Sequence, residues 1–151
     1  IVEPGVTTQT IQETADAKGL FYPPDPASKG SCFIGGNVAE NSGGPRAVKY
    51  GVTKDYVYGV EAVLPTGEII RTGGKLLKNV SGYNLTQLFT GSEGTLAVIT
   101  AITLKLIPAV THRKTLLAAF RDEASAAVAV TKRSVDQSPF GDGRSKSRHT
   151  S

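Results

Sequence analysis

The sequence predicts an α+β fold, a mixed or antiparallel sheet with short flanking helices. Residues 56–64 are rich in β-branched and aromatic side chains. Pro65-Thr66-Gly67 follows them, and 68–72 then reads as the return arm of a β-hairpin. Residues 95–107 form the clearest strand. Leu96, Val98, Ile102, Leu104 and Leu106 share one parity there, which predicts a single apolar face, and Pro108 is its stop. The helical stretches between and around them are short and bounded by glycine or proline.

The elements follow in order. Pro4-Gly5 breaks a short extended start. Thr7 is the predicted N-cap of a helix reaching about Lys18, with Val6 and Ile11 in staple positions and Gly19 as the stop. Ile11, Ala15 and Leu20 should point inward. Pro23, Pro24 and Pro26 forbid a helix through their stretch. A short helix is expected over 38–42, framed by two glycine pairs. Asn84 should cap a helix over 85–89, and residues 91–94 should turn tightly into the long strand. Residues 113–120 read as a further strand and 122–130 as an alanine-rich helix. From Thr131 the apolar pattern ends. Residues 132–151 are expected to form a disordered or artefactual tail, since so few apolar side chains cannot offset the entropy of ordering.

Composition narrows the function. The net charge is +4, but residues 132–151 hold five basic and two acidic residues, leaving twelve basic and eleven acidic in the rest. A nucleic-acid-binding domain carries its excess charge on the folded body, so no nucleic-acid partner is expected. No apolar run approaches the ~20 residues that span a bilayer. One cysteine, Cys32, excludes an internal disulfide. His112 and His149 have no partner at metal-ligand spacing, so no metal site is expected. No Ser-His-Asp or Cys-His arrangement is available, and no catalytic residue is assigned. The chain begins Ile1-Val2-Glu3 and contains no methionine, which is what an internal piece of a longer protein would show.

Glycine is the informative residue: 13 of the 17 glycines lie between Gly30 and Gly94. The stretch Gly35-Gly36-Asn37-Val38-Ala39-Glu40-Asn41-Ser42-Gly43-Gly44 can be read in two ways. It is either a loop whose backbone N–H groups cradle a pyrophosphate, or a tight turn flanking a short helix. It is not a Walker A loop, because Leu76 follows Gly73-Gly74-Lys75 where a magnesium-ligating hydroxyl would stand. Nor is it a dinucleotide fingerprint, because prolines and small polar residues precede it instead of a hydrophobic strand.

Four motifs occur in one order: Pro23-Pro24-Asp25-Pro26-Ala27-Ser28, the glycine stretch 35–44, Gly82-Tyr83-Asn84-Leu85-Thr86-Gln87-Leu88-Phe89, and Gly91-Ser92-Glu93-Gly94-Thr95-Leu96. Together they resemble the FAD-linked 2-hydroxy-acid oxidases and dehydrogenases, a branch of the vanillyl-alcohol-oxidase-type flavoproteins with a PCMH-type FAD-binding domain. The resemblance covers residues 1 to about 130. It implies that FAD lies between two α+β lobes, that this chain is the second, and that the first, with its own pyrophosphate loop, is absent. By position it implies FAD contacts from Pro24, Asp25, Ser28, Gly35, Gly36, Asn37, Ala39, Asn41, Gly43, Gly44, Glu93, Gly94, Val98 and Ile99. Ala97 stands where the family usually has glycine, which adds a methyl group beside the expected flavin.

The domain expectation is a flavin lobe over 1–108 and the start of a substrate-binding cap over 109–131. The resemblance implies a parent enzyme that oxidises a small 2-hydroxy acid of the glycolate or D-lactate type by hydride transfer to flavin. It implies a cytoplasmic location, with partner subunits linking it to the inner membrane face. The isolated lobe is expected to be inactive. The alternative is a truncated, non-catalytic module that binds no flavin.

Overall fold

The computed structural model describes residues 1–75, 82–110 and 117–136. The chain divides into two compact units, Ile1–His112 and Arg113–Ser151.

The first unit opens with an extended segment and helix α1, Thr8–Asp16. The Thr7 side chain caps this helix by accepting the Thr10 N–H, and Gly19 beyond it adopts a φ of +68°. Ile11 and Ala15 are buried on its inner face, as their helical spacing predicts. Strand β1, Leu20–Phe21, is followed by the proline segment, helix α2 (Ile34–Glu40), helix α3 (Ala47–Tyr50) and a 3₁₀ turn over Thr53–Tyr56. Strands β2 (Val57–Val63) and β3 (Ile69–Gly73) form the predicted hairpin, in antiparallel register from Gly59↔Gly73 to Val63↔Ile69. Helix α4, Leu85–Phe89, starts as predicted, with Asn84 Oδ1 accepting the Gln87 N–H at 3.1 Å. Strands β4 (Val98–Leu104) and β5 (Ile107–Pro108) complete the unit.

The three-stranded sheet has the order β3-β2-β4, wholly antiparallel, and β1 pairs with β5 separately. Tyr22, Ile34, Val38, Ala62 and Ile102 are fully buried between the sheet and the short helices, with Tyr56, Val60 and Phe89 packed beside them. The rings of Tyr22 and Tyr56 meet edge to face at 6.1 Å.

Three expectations need correction. The helix expected over 38–42 runs over Ile34–Glu40 and ends at Asn41, whose left-handed φ of 55° stops it. Tertiary contacts to residues 4–8 start the helix early, where composition alone pointed to a loop. The long strand is divided: its pairing with β2 ends where Lys105 N–H donates to the Tyr56 carbonyl, and β5 pairs with β1 instead. Its apolar parity also breaks. Glu61 faces Ala101 and the next residue, Ala62, faces Ile99, so Thr100 is the extra residue of a β-bulge. The Thr100 hydroxyl donates to Glu61 Oε1 at 2.9 Å and holds the bulge. Below it Ala97 is buried, whereas Val98 is 67 % exposed.

In the second unit, helix α5 spans Glu123–Asp136, past Thr131 where the composition changes. Asp122 caps it through the Ser125 N–H and hydroxyl, at 2.7 and 3.0 Å. Half of the strand expected over 113–120 lies outside the described residues, and 117–120 carries no regular structure. Residues 137–151 of the expected tail also lie outside the described residues.

Ile102 joins the sheet to the core with no exposed surface. An Ile102→Ala substitution is expected to cost about 2–5 kcal/mol, read from urea denaturation midpoints and slopes.

Candidate functional site

A concavity of about 450 Å³ opens where the start of α2 meets the turn before β4. Its walls are Pro4, Gly5, Phe33, Gly35, Gly36, Ala39, Gly94, Ala97, Val98 and Ile99. All belong to the first unit and none has a side chain that titrates. Phe33 and Val98 stand 54 and 67 % exposed at its edge and make that edge apolar.

The N-terminal segment builds one wall. Gly35 N–H donates to the Pro4 carbonyl and Ile34 N–H to the Val6 carbonyl, both at 2.9 Å. The approach requires glycine: a Cβ on Gly35 would sit 2.6 Å from the Pro4 Cβ. Gly36 differs, since a Cβ there would meet nothing within 4 Å. Its N–H donates to no acceptor among the described residues, unlike those of Ile34, Gly35 and Asn37. The opposite wall is the turn at 91–94. Gly91 N–H donates to the Val38 carbonyl at 2.9 Å and Glu93 N–H to the Ala39 carbonyl at 2.8 Å, tying the turn to the end of α2. Glu93 adopts a φ of 54°, unusual for a residue with a side chain.

Six of the residues singled out from the sequence share this concavity: Gly35, Gly36, Ala39, Gly94, Val98 and Ile99. The others do not line it. Asn37 is turned inward and buried, and its Nδ2 donates to Thr8 Oγ1 at 2.5 Å. Asn41 Oδ1 accepts the Lys54 N–H at 2.9 Å. One atom of each amide thus serves the fold, and the glycines and backbone of the 35–44 stretch face the cavity. Glu93 contributes its backbone to the turn. Pro24, Asp25, Ser28, Gly43 and Gly44 belong to a different cluster. There the Pro24 carbonyl accepts from Gln12 and the Ser28 carbonyl accepts the Ser31 and Cys32 N–H groups. Gly43 leads into Gly44, which has a φ of +118° and lies so close to Asp25 that a Cβ would strike its carbonyl oxygen. Asp25 itself pairs with Lys29 at 3.1 Å and Arg46 at 3.2 Å.

Pro4, Gly5 and Phe33 line the cavity without having been singled out. Their membership depends on pairing between residues 2–7 and 33–35, which no local pattern displays. The one available signal was Phe33, a large aromatic beside a glycine pair. A larger concavity of about 490 Å³, lined by Lys54, Tyr58, Arg71 and Asn84 among others, contains no predicted site residue. No group of three or more His, Cys, Asp or Glu among the described residues is placed to hold a metal. No helix among them is long and apolar enough to cross a membrane.

Comparison with known proteins bears on this geometry. Residues 1–73 match the FAD binding domain family. The chain is 55 % identical over 130 residues to the glycolate oxidase subunit GlcD of Bacillus subtilis, covering 86 % of this chain and 28 % of that protein. It is 53 % identical to a D-lactate dehydrogenase of Anaerostipes hadrus, over 72 % of this chain and 22 % of that one. A D-2-hydroxyglutarate dehydrogenase of Stutzerimonas stutzeri is 43 % identical over 70 % of this chain and 23 % of its own length. The chain thus spans about a quarter of these relatives. Among solved structures, an alkyldihydroxyacetonephosphate synthase superposes with a TM-score of 0.58 at 29 % identity, over 70 % of this chain and 18 % of that one.

The Asp25 cluster carries a pH signature. Burial raises the Asp25 pKa. The hydrogen bonds from Lys29 and Gln12, with the Arg46 charge, outweigh it and hold the carboxyl below its ordinary 3.8. A depressed folded pKa stabilises above the unfolded value and is lost as pH falls through the folded one. Asp25→Asn is therefore expected to lower the thermal midpoint at neutral pH, and the gap to the parent chain should close below about pH 4, read from melting curves across pH.

Proposed function

From a chain that belongs to the FAD-linked oxidase and dehydrogenase family, we propose an oxidoreductase that oxidises a small 2-hydroxy acid, of the glycolate or D-lactate type, to the 2-oxo acid. The first unit forms one wall of its FAD site. Supporting this reading is the open, glycine-backed concavity between α2 and the 91–94 turn. Its residues fit a flavin. Gly36 leaves space where any side chain would intrude, and its N–H remains available. Phe33, Ala97, Val98 and Ile99 supply apolar contact for a ring face or edge. Backbone from Gly35, Gly36 and Gly94 approaches without Cβ atoms in the way.

When bound, FAD accepts the hydride released from the carbinol carbon, chemistry that no side chain supplies. The residues of this wall bind and orient the cofactor and exclude water from one side. None of them titrates, so the group that takes the hydroxyl proton stands elsewhere in the protein. The flavin lobe runs over 1–108 and the substrate-binding cap begins over 109–131, with α5 continuing through Asp136 into the segment expected as a tail. The name of the glycolate oxidase relative, a subunit, supports partner subunits. A cytoplasmic location, with those subunits reaching the inner membrane face, completes the reading. The concavity is open, so FAD held by this wall alone would leave much of its surface in water, and the 151-residue chain should bind free FAD weakly.

The complete protein carrying these residues should show flavin absorption after purification. Gly36→Leu is the discriminating variant. It replaces a helical glycine where nothing lies within 4 Å, so thermal stability should hold or rise by about 0.5–1 kcal/mol. The leucine fills the flavin space, and the bound flavin bands should disappear. A colourless parent protein that gains no flavin on titration would favour a module without cofactor. A Gly36→Leu protein that retains full flavin would place the cofactor elsewhere.

A further inference from the structure

We propose that Thr8 is a positioning residue for the cofactor: through Asn37, its hydroxyl fixes the rotation of α2 and so decides which face of that helix FAD meets. This rests on the flavin reading above. Helix α2 has seven residues, two of them glycine, so it has little intrinsic stability and its placement is set by its contacts. Three backbone hydrogen bonds hold its approach and first turn: Thr8 N–H to the Cys32 carbonyl, Ile34 N–H to the Val6 carbonyl and Gly35 N–H to the Pro4 carbonyl. They fasten one end. The next turn is fastened by a side chain, with Asn37 Nδ2 donating to Thr8 Oγ1 at 2.5 Å across 29 residues of sequence.

Both partners are buried, Thr8 completely. Burial makes this bond a constraint, because an Asn37 amide without the hydroxyl would keep only the Cys32 sulfur at 3.5 Å. The other face of the helix is the cavity wall. At about 100° per residue, Ala39 lies about 200° round from Asn37, and Ala39 and Gly36 both line the concavity. A helix that rotates to rehydrate Asn37 carries Gly36 and Ala39 with it. The Ala39 carbonyl also accepts the Glu93 N–H, so the opposite wall moves too. Thr8 touches neither the cavity nor its occupant; it acts through Asn37 on both walls.

The test uses the complete protein as parent, Thr8→Val and Thr8→Ser. Each is stripped of flavin, checked for folding by urea denaturation, and titrated with FAD by fluorescence quenching and visible circular dichroism. Thr8→Ser keeps the hydroxyl and should match the parent within about twofold. Thr8→Val keeps the shape without the acceptor. It should remain folded, weaken FAD binding about tenfold, and change the visible dichroism of the flavin it still binds. A parent protein that binds no FAD overturns the flavin reading itself. A parent that binds FAD alongside a Thr8→Val with equal affinity and dichroism overturns the Thr8 proposal alone. So does a Thr8→Val that fails to fold, which would make the hydroxyl a folding determinant, or a Thr8→Ser as weak as Thr8→Val.

Discussion

The path of residues 2–8 is the constraint on which the rest of the first unit depends. Val2 exchanges both backbone hydrogen bonds with Ile102 on β4, each at 2.9 Å. Two and four residues later the same segment takes the amides of Gly35, at Pro4, and Ile34, at Val6. One short segment, turning at Pro4-Gly5, thus fastens the edge strand β4 to the start of α2 through a bridge at each end. The cavity forms beneath it because two of the first N–H groups of α2 are engaged and Gly36 is left facing out. Gly35 makes this possible, since any larger residue would push Pro4 away.

A second consequence concerns polarity. The concavity is lined by backbone and small apolar side chains, while the polar groups nearby are turned inward. Asn37 bonds Thr8, Asn41 bonds the Lys54 amide, and Asp25 pairs with Lys29 and Arg46. A buried polar group without a partner is costly, so amides beside a folded helix tend to satisfy the fold before any ligand. The asparagines therefore serve the fold around the concavity, Asn41 by ending α2 and Asn37 by bonding Thr8. The same economy applies at Cys32. Burial raises its pKa and hydrogen bonds from Thr8, Ser28 and Asn37 outweigh that effect, holding the thiol below its ordinary range within the same cluster.

The β-bulge at Thr100 shows how one extra residue redistributes a face. Strict alternation along the strand would have placed Val98 with Ile102 in the core. With the bulge, Ile102 stays buried, Ala97 becomes buried, and Val98 emerges at the cavity edge. Side-chain parity is a period of two, so a single inserted residue reverses it. Nothing in the composition of 95–107 marks where the insertion falls. The hydroxyl of Thr100 reaching across to Glu61 is a contact 39 residues away in sequence.

Local chemistry, by itself, determined the caps at Thr7 and Asn84, the hairpin and the α+β class, because each depends on neighbours within one turn of chain; α1 itself ends at Asp16, ahead of the expected stop at Gly19. The order of four motifs pointed to a flavin family, which no single glycine loop would have done. Only the tertiary structure decided where α2 begins, which six of the fourteen candidate residues meet in one concavity, and that Pro4, Gly5 and Phe33 join them. Those outcomes depend on pairing between residues about 30 apart and on a bulge fixed across strands. The free energy of such contacts is set by which surfaces meet, and a sequence read one window at a time contains no term for it.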